Sequence, residues 1–90
     1  MIKHYNIHIT GKVQGVGFRY HTKMKALELN IKGFVRNKAD RSVYVEAEGE
    51  EVSLNKFLDW CKEGPQHTYV EKYNYSESNI EKFKNFEIRH

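Results

Sequence analysis

From Lys3 to Thr10 the chain alternates, with Tyr5, Ile7 and Ile9 on one side and His4, Asn6, His8 and Thr10 on the other. A period of two marks a strand with one buried face. Beyond a glycine-bearing stretch, Tyr20, Met24, Leu27 and Ile31 recur at spacings of four, three and four. That spacing predicts a helix that buries these side chains and ends near Asn30. Lys32 to Asn37 reads as a second strand, Lys38 to Arg41 as a turn, and Ser42 to Glu48 as a third strand with Val43, Val45 and Ala47 inward. Gly49 breaks the alternation, and Glu50 and Glu51 suit the first turn of a second helix by their charge. Leu54, Phe57, Leu58 and Cys61 share one face of that helix, which Gly64-Pro65 stops. Thr68 to Tyr75 is strand-like, with Tyr69, Val70, Tyr73 and Tyr75 in imperfect register. Ser76 to Lys82 reads as a polar connection and Phe86-Glu87-Ile88 as a short closing strand.

The order β-α-β-β-α-β plus a short tail strand predicts an α+β, ferredoxin-like two-layer sandwich. Both helices lie on one face of an antiparallel-dominated sheet. Ninety residues support one core, and no repeat, low-complexity tract or linker divides residues 1–90, so a single domain is expected. Geometry brings two distant segments together. A helix of about 11 residues carries the chain ~16 Å away from the glycine stretch, and a strand of six returns it ~20 Å. Asn37 therefore comes back to the edge where Arg19 sits. A right-handed crossover makes the first two strands parallel, with their C-terminal ends together.

The glycine stretch is Gly11-Lys12-Val13-Gln14-Gly15-Val16-Gly17-Phe18-Arg19. Glycines adopt backbone angles closed to other residues, so such a loop can turn its N–H groups inward around an anion. The following helix start adds unpaired N–H groups and the positive end of a dipole. Arg19 adds an always-protonated fork that matches two phosphoryl oxygens. Gln14, Gly15, Val16, Gly17, Phe18 and Arg19 are thus candidates for a phosphate-binding loop. Composition alone leaves open a plain tight connection with Arg19 as a solvated cap. Neither G-x-x-x-x-G-K-[ST] nor G-x-G-x-x-G is present, which disfavours nucleotide binding.

Charge is uneven along the chain, which fits the anion reading and equally fits two solvated faces of opposite sign. Residues 1–45 hold nine Lys or Arg against Glu28 and Asp40, a balance of +7, whereas residues 46–90 hold six against ten acids, a balance of −4. The basic half contains the glycine loop, and a field of that sign draws in an anionic substrate. A hydrophobic fraction of 39% with 30% charged residues describes an ordinary soluble globule. No apolar run approaches the ~20 residues needed to cross a bilayer. With a lone cysteine, Cys61, this suggests a cytoplasmic protein with no membrane partner. His4 and His8 share a strand face but lie ~13 Å apart at strand rise, too far for one ion, so no metal or other cofactor is expected. Cys61, Phe18 and Phe34 read as packing groups, and Tyr69, Tyr73 and Tyr75 as cover for the sheet.

With these motifs placed, the chain resembles the acylphosphatase family. The family's first motif, G-x-V-Q-G-V-x-F-R, is matched throughout by Gly11 to Arg19. Its second, G-[WF]-V-x-N-x-x-D-G-x-V, is matched by Gly33, Phe34, Val35, Asn37, Asp40 and Val43. Ala26, Leu29, Ala47, Gly49, Phe57 and Gly64-Pro65 extend the likeness over most of the chain. Arg41 departs from the pattern, standing where the family has glycine. If the turn keeps a left-handed residue there, a side chain costs ~1 kcal/mol.

The resemblance implies hydrolysis of the carboxyl-phosphate bond of a small acyl phosphate, giving a carboxylate and inorganic phosphate. It also implies catalytic roles for Arg19 and Asn37. The chemistry of these residues agrees: amides and a guanidinium meet charge on phosphoryl oxygens, and a carboxamide can aim a water. A departing carboxylate, whose conjugate acid has pKa ~4, needs no general acid. The proton of the attacking water then goes to a substrate phosphoryl oxygen or to an exposed His21. A monomer without a nucleic-acid partner is expected. The other readings are an RRM-like RNA-binding module, whose motif Lys32-Gly33-Phe34-Val35 imitates for four residues, and a catalytically silent interaction domain.

Overall fold

The computed structural model describes residues 1–15 and 17–90. β1 (Ile2–Lys12) leads to α1 (Phe18–Glu28), β2 (Lys32–Asn37), β3 (Val43–Glu50), α2 (Glu51–Glu63), β4 (Tyr69–Ser78) and β5 (Phe86–Arg89). The five strands form one sheet in the order β4-β1-β3-β2-β5. β1 and β2 each pair antiparallel with β3, so they run parallel to one another as the crossover requires. β4 is antiparallel to β1, and β5 is parallel to β2. This is the ferredoxin-like sandwich predicted from the element order.

The core follows from the strand alternation. Ile7 faces Val45 and Ile9 faces Val43 across β1 and β3, and Val35 meets Val45 from the other side. These residues share one cluster with Phe18 and Ala26 of α1 and with Leu54, Phe57, Leu58 and Cys61 of α2, so both helices lie on that face. Burial pushes the Cys61 thiol upward, away from the reactive thiolate, as its packing role requires.

α1 presents a different face from the one its bulky residues predict. Phe18, Thr22 and Ala26 are buried, whereas Tyr20, Met24 and Leu27 are 57%, 46% and 52% exposed. Of the four expected inward, only Ile31 is buried, and it lies beyond the helix. The two stripes start two residues apart, about 200° around a helix. Beyond Phe18 the buried stripe is small, Thr22 and Ala26, and small side chains allow a helix to pack close to a sheet. Thr22 donates its hydroxyl to the Phe18 carbonyl at 2.7 Å, so its burial leaves no orphaned polar group.

Two strand ends also differ. β4 continues through Ser78, with Asn6 opposite Ser76 and His4 opposite Ser78. Its polar residues suit an exposed edge strand and so mimic a connection. β3 runs through Gly49 to Glu50, which caps α2 rather than entering it.

β4 and β5 occupy opposite edges, so the chain between them must cross the sheet. Helices fill one face, and the 79–85 segment takes the other. There His4, expected on the outward side of its strand, is fully buried. Its Nδ1 lies 3.0 Å from Glu48 Oε2 and its Nε2 2.9 Å from Glu46 Oε1. Glu48 also accepts the N–H groups of Glu81 at 2.6 Å and Phe83 at 3.0 Å. Phe83 packs against His4 and Phe34, whose burial is that of a core anchor on this second layer. The segment is a strap latched by one carboxylate.

Candidate active site

β1 ends at Lys12, and buried Val13 pins the chain before it turns toward α1. Gly15 and Gly17 take φ of 79° and 77°, left-handed angles that let the loop curl back onto the helix start. Gly17 is the N-cap of α1, with no side-chain cap hydrogen bond among the described residues. The first-turn N–H groups are therefore free for a ligand. Arg19 follows as the second residue of the helix, and Asn37 is the last residue of β2.

These groups converge. Gly15, Gly17, Phe18, Arg19 and Asn37 line one cavity of about 290 Å³, together with Val13, Tyr20, Ile88 and His90. The rise arithmetic that returned Asn37 to the level of Arg19 thus holds. Arg19 Nη1 donates to the Arg89 carbonyl at 3.3 Å and to His90 Nδ1 at 3.1 Å, so the guanidinium rests against the end of β5. Asn37 Oδ1 is the one buried side-chain polar atom among the described residues without a hydrogen-bond partner. Leaving such an acceptor unpaired costs about 1–3 kcal/mol.

Of the other loop candidates, Phe18 is an anchor, 2% exposed with its ring 5.9 Å from that of Trp60. Gln14 does not line the cavity. Its Nε2 donates to the carbonyls of Lys38 at 3.0 Å and Ser42 at 2.8 Å, clipping the loop to the β2–β3 turn. Val16 lies outside the described residues. His21 is exposed and also stays out of the lining. Ile88 and His90 were not legible as site residues, because nothing local tells β5 that its partner is β2, and the helical periodicity assigns Tyr20 to the core-facing stripe of α1 instead.

In the β2–β3 turn, Arg41 adopts φ 73°, the left-handed angle anticipated where glycine would be free of strain. Asp40 accepts from the Ser42 hydroxyl and amide, which hold its carboxyl below the usual range. Among the described residues no three His, Cys, Asp or Glu side chains converge as a metal-ligand set. A larger cleft of about 490 Å³ lies beside the strap and shares no motif residue with the site. Its Glu48 is already engaged through both oxygens.

The molecule is thus a ferredoxin-like sandwich that opens a helix start onto a cavity holding one arginine and a carboxamide whose oxygen has no hydrogen-bond partner among the described residues. The sequence pattern of the acylphosphatase family matches residues 5–88. An acylphosphatase of Archaeoglobus fulgidus is 46% identical over 82 residues, covering 91% of this chain and 92% of that one. One from Thermotoga maritima is 39% identical with 99% of each covered. The crystal structure of acylphosphatase from Bacillus subtilis superposes with a TM-score of 0.95 at 36% identity, covering both chains completely. The chain belongs to the acylphosphatase family and is an acyl phosphate hydrolase.

Proposed function

We propose that residues 1–90 act as a single monomeric domain that hydrolyses its acyl phosphate in the cavity between the glycine loop and the end of β2. The phosphoryl group sits against the main-chain N–H groups of Gly15, Gly17, Phe18 and Arg19, with the Arg19 guanidinium across its oxygens. This arrangement meets the charge that spreads over those oxygens in the transition state. The Gln14 side chain is assigned to holding the loop and not to the phosphate.

The observation that carries the reading is Asn37 Oδ1, buried without a hydrogen-bond partner among the described residues and in the same cavity as Arg19. A carbonyl oxygen repels phosphoryl oxygens, so its natural partner there is an O–H, that of the attacking water. Water oxygen bonds to phosphorus as the bond from phosphorus to the acyl oxygen breaks. The electron pair leaves on the carboxylate, and the water proton passes to a phosphoryl oxygen of the substrate. No side chain need act as acid, because a carboxylate with conjugate-acid pKa ~4 departs unprotonated. His21, outside the cavity lining, is not required. The RNA-binding reading finds no support on the open face, where Tyr44, Glu46 and Glu48 stand on β3 and the strap covers His4.

Hydrolysis of benzoyl phosphate with chelator present tests the assignment. Arg19→Ala is expected to weaken inorganic phosphate inhibition and to lower kcat about 10²–10³-fold, as loss of an oxyanion donor does. Asn37→Ala is expected to lower kcat about 10²-fold through lost water alignment while inorganic phosphate still binds. Equal loss of phosphate affinity in both variants overturns this division of roles.

A further inference from the structure

Ser42 stands just before β3, 1% exposed, with its amide, hydroxyl and carbonyl all engaged. The carbonyl accepts Gln14 Nε2 at 2.8 Å and the Lys38 N–H at 2.9 Å. Gln14 precedes Gly15 and Lys38 follows Asn37, and both Gly15 and Asn37 line the phosphoryl cavity. One carbonyl therefore ties the loop side of the site to the Asn37 side.

The hydroxyl decides where that carbonyl lies. Asp40 Oδ1 accepts the Ser42 amide at 3.0 Å and the Ser42 hydroxyl as well. Those two bonds hold the Asp40 carboxyl below its usual range, so its oxygen has no proton to return. A hydroxyl carries one hydrogen, and here it goes to Asp40. Toward His8 Nε2, 2.8 Å away, the Ser42 oxygen can only accept. The half-buried His8 ring must then carry a hydrogen on Nε2. β1 and β3 last pair at Ile9 and Val43, so this bond carries the hold of β1 beyond the ladder and into the β2–β3 turn. His8 itself stands on a fixed platform, between Tyr44 of β3 and Asn74 of β4.

We propose that His8 is a positioning residue for the hydrolysis, whose Nε2–H braces Ser42 and through the Ser42 carbonyl sets the spacing between the glycine loop and Asn37. The ring does not line the phosphoryl cavity and acts only through Ser42. The inference rests on the placement of substrate and water proposed above. Within the turn, the bonds from the Lys38 N–H to Ser42 and from the Arg41 N–H to Lys38 shape the hairpin without fixing it to β1. Without the imidazole, the turn that carries Asn37 can tilt against the loop.

Two replacements separate positioning from bulk. His8→Phe keeps the ring and loses the donor, whereas His8→Gln restores an N–H at about the reach of Nε2. With benzoyl phosphate, each variant assayed well below its melting temperature, His8→Phe is expected to lower kcat about three- to tenfold, one hydrogen bond felt through alignment. Inhibition by inorganic phosphate is expected to stay as in the native chain, because Gln14 keeps its bond to the Lys38 carbonyl. His8→Gln is expected to bring kcat back to within about twofold. Combined with Gln14→Ala, the loss in His8→Phe is expected to fall short of multiplying, since both act on Ser42. Proton–nitrogen correlation spectra are expected to show the Asn37 side-chain amide shifted by His8→Phe and returned by His8→Gln. Native kcat in His8→Phe, a loss that His8→Gln does not recover, equal loss of phosphate affinity, multiplying losses or an Asn37 amide indifferent to both variants overturns the inference. If Asn37→Ala leaves kcat unchanged, the water-aligning reading fails instead, and the Asn37 amide spectrum still decides whether His8 braces the turn.

Discussion

Arg19 Nη1 lies 3.1 Å from His90 Nδ1, so the arginine at the start of α1 is held by a ring just beyond the last strand. The ring can accept that N–H only when its Nδ1 is unprotonated. His90→Ala leaves Arg19 one weaker anchor, the Arg89 carbonyl at 3.3 Å. Lost preorganisation is expected to raise KM about two- to fivefold, the worth of one exposed hydrogen bond, with kcat nearly unchanged. Steady-state kinetics on benzoyl phosphate reads both constants, and a fall in kcat with constant KM contradicts the positioning role.

Gln14 ties the loop to the β2–β3 turn through two carbonyls. Replacing it with Ala removes two hydrogen bonds at about 1 kcal/mol each and is expected to lower the melting temperature by several degrees. Loss of loop alignment is expected to reduce kcat about tenfold. Thermal unfolding and initial rates on the same preparation test the pair, and an unchanged melting temperature removes the tether.

Glu48 is 5% exposed. Burial pushes its carboxyl up, but hydrogen bonds from the Glu81 and Phe83 amides and from His4 outweigh it and leave it below the ordinary 4.5. A depressed carboxyl pKa stabilises the fold above the unfolded value, and that stability is lost as pH falls through the folded value. Glu48→Gln is expected to destabilise the chain by about 1–3 kcal/mol at pH 7, because an amide donor now faces an N–H donor. Its stability is also expected to fall less steeply below pH 4.5 than that of the native chain. Urea titrations from pH 3 to 7 give both comparisons, and parallel curves for the two proteins refute the latch.

Ala26 is fully buried where α1 meets the sheet, while Met24 is 46% exposed. Ala26→Leu is expected to destabilise by about 1–3 kcal/mol through overpacking, whereas Met24→Glu is expected to stay within about 0.5 kcal/mol. Denaturant midpoints distinguish the two, and a larger effect at Met24 restores the bulky face to the core.

That contrast also shows what a sequence reveals and hides. β1 was legible because one face is apolar and the other polar, so Tyr5, Ile7 and Ile9 declare their side. α1 carries two competing stripes, and size alone chose the wrong one, because the packing distance to the sheet is not a property of the helix. Arg19 and Asn37 were brought together by rise per residue, a local quantity. The burial of His4 depends on Glu48, 44 residues away, and on a strap whose path is fixed only once the strand order is known. His90 reached the site by the same route, through the parallel pairing of β5 with β2.

The strap gives the molecule a belt. Leaving β4 at one edge, the chain passes over β1, β3 and β2 before it becomes β5 at the other, and its only charged buckle is Glu48 among the described residues. The carbonyl that steadies Arg19 belongs to the strand this belt delivers. Slackening the buckle therefore loosens the guanidinium from behind, so a defect on the sheet's open face reaches the pocket without touching the loop.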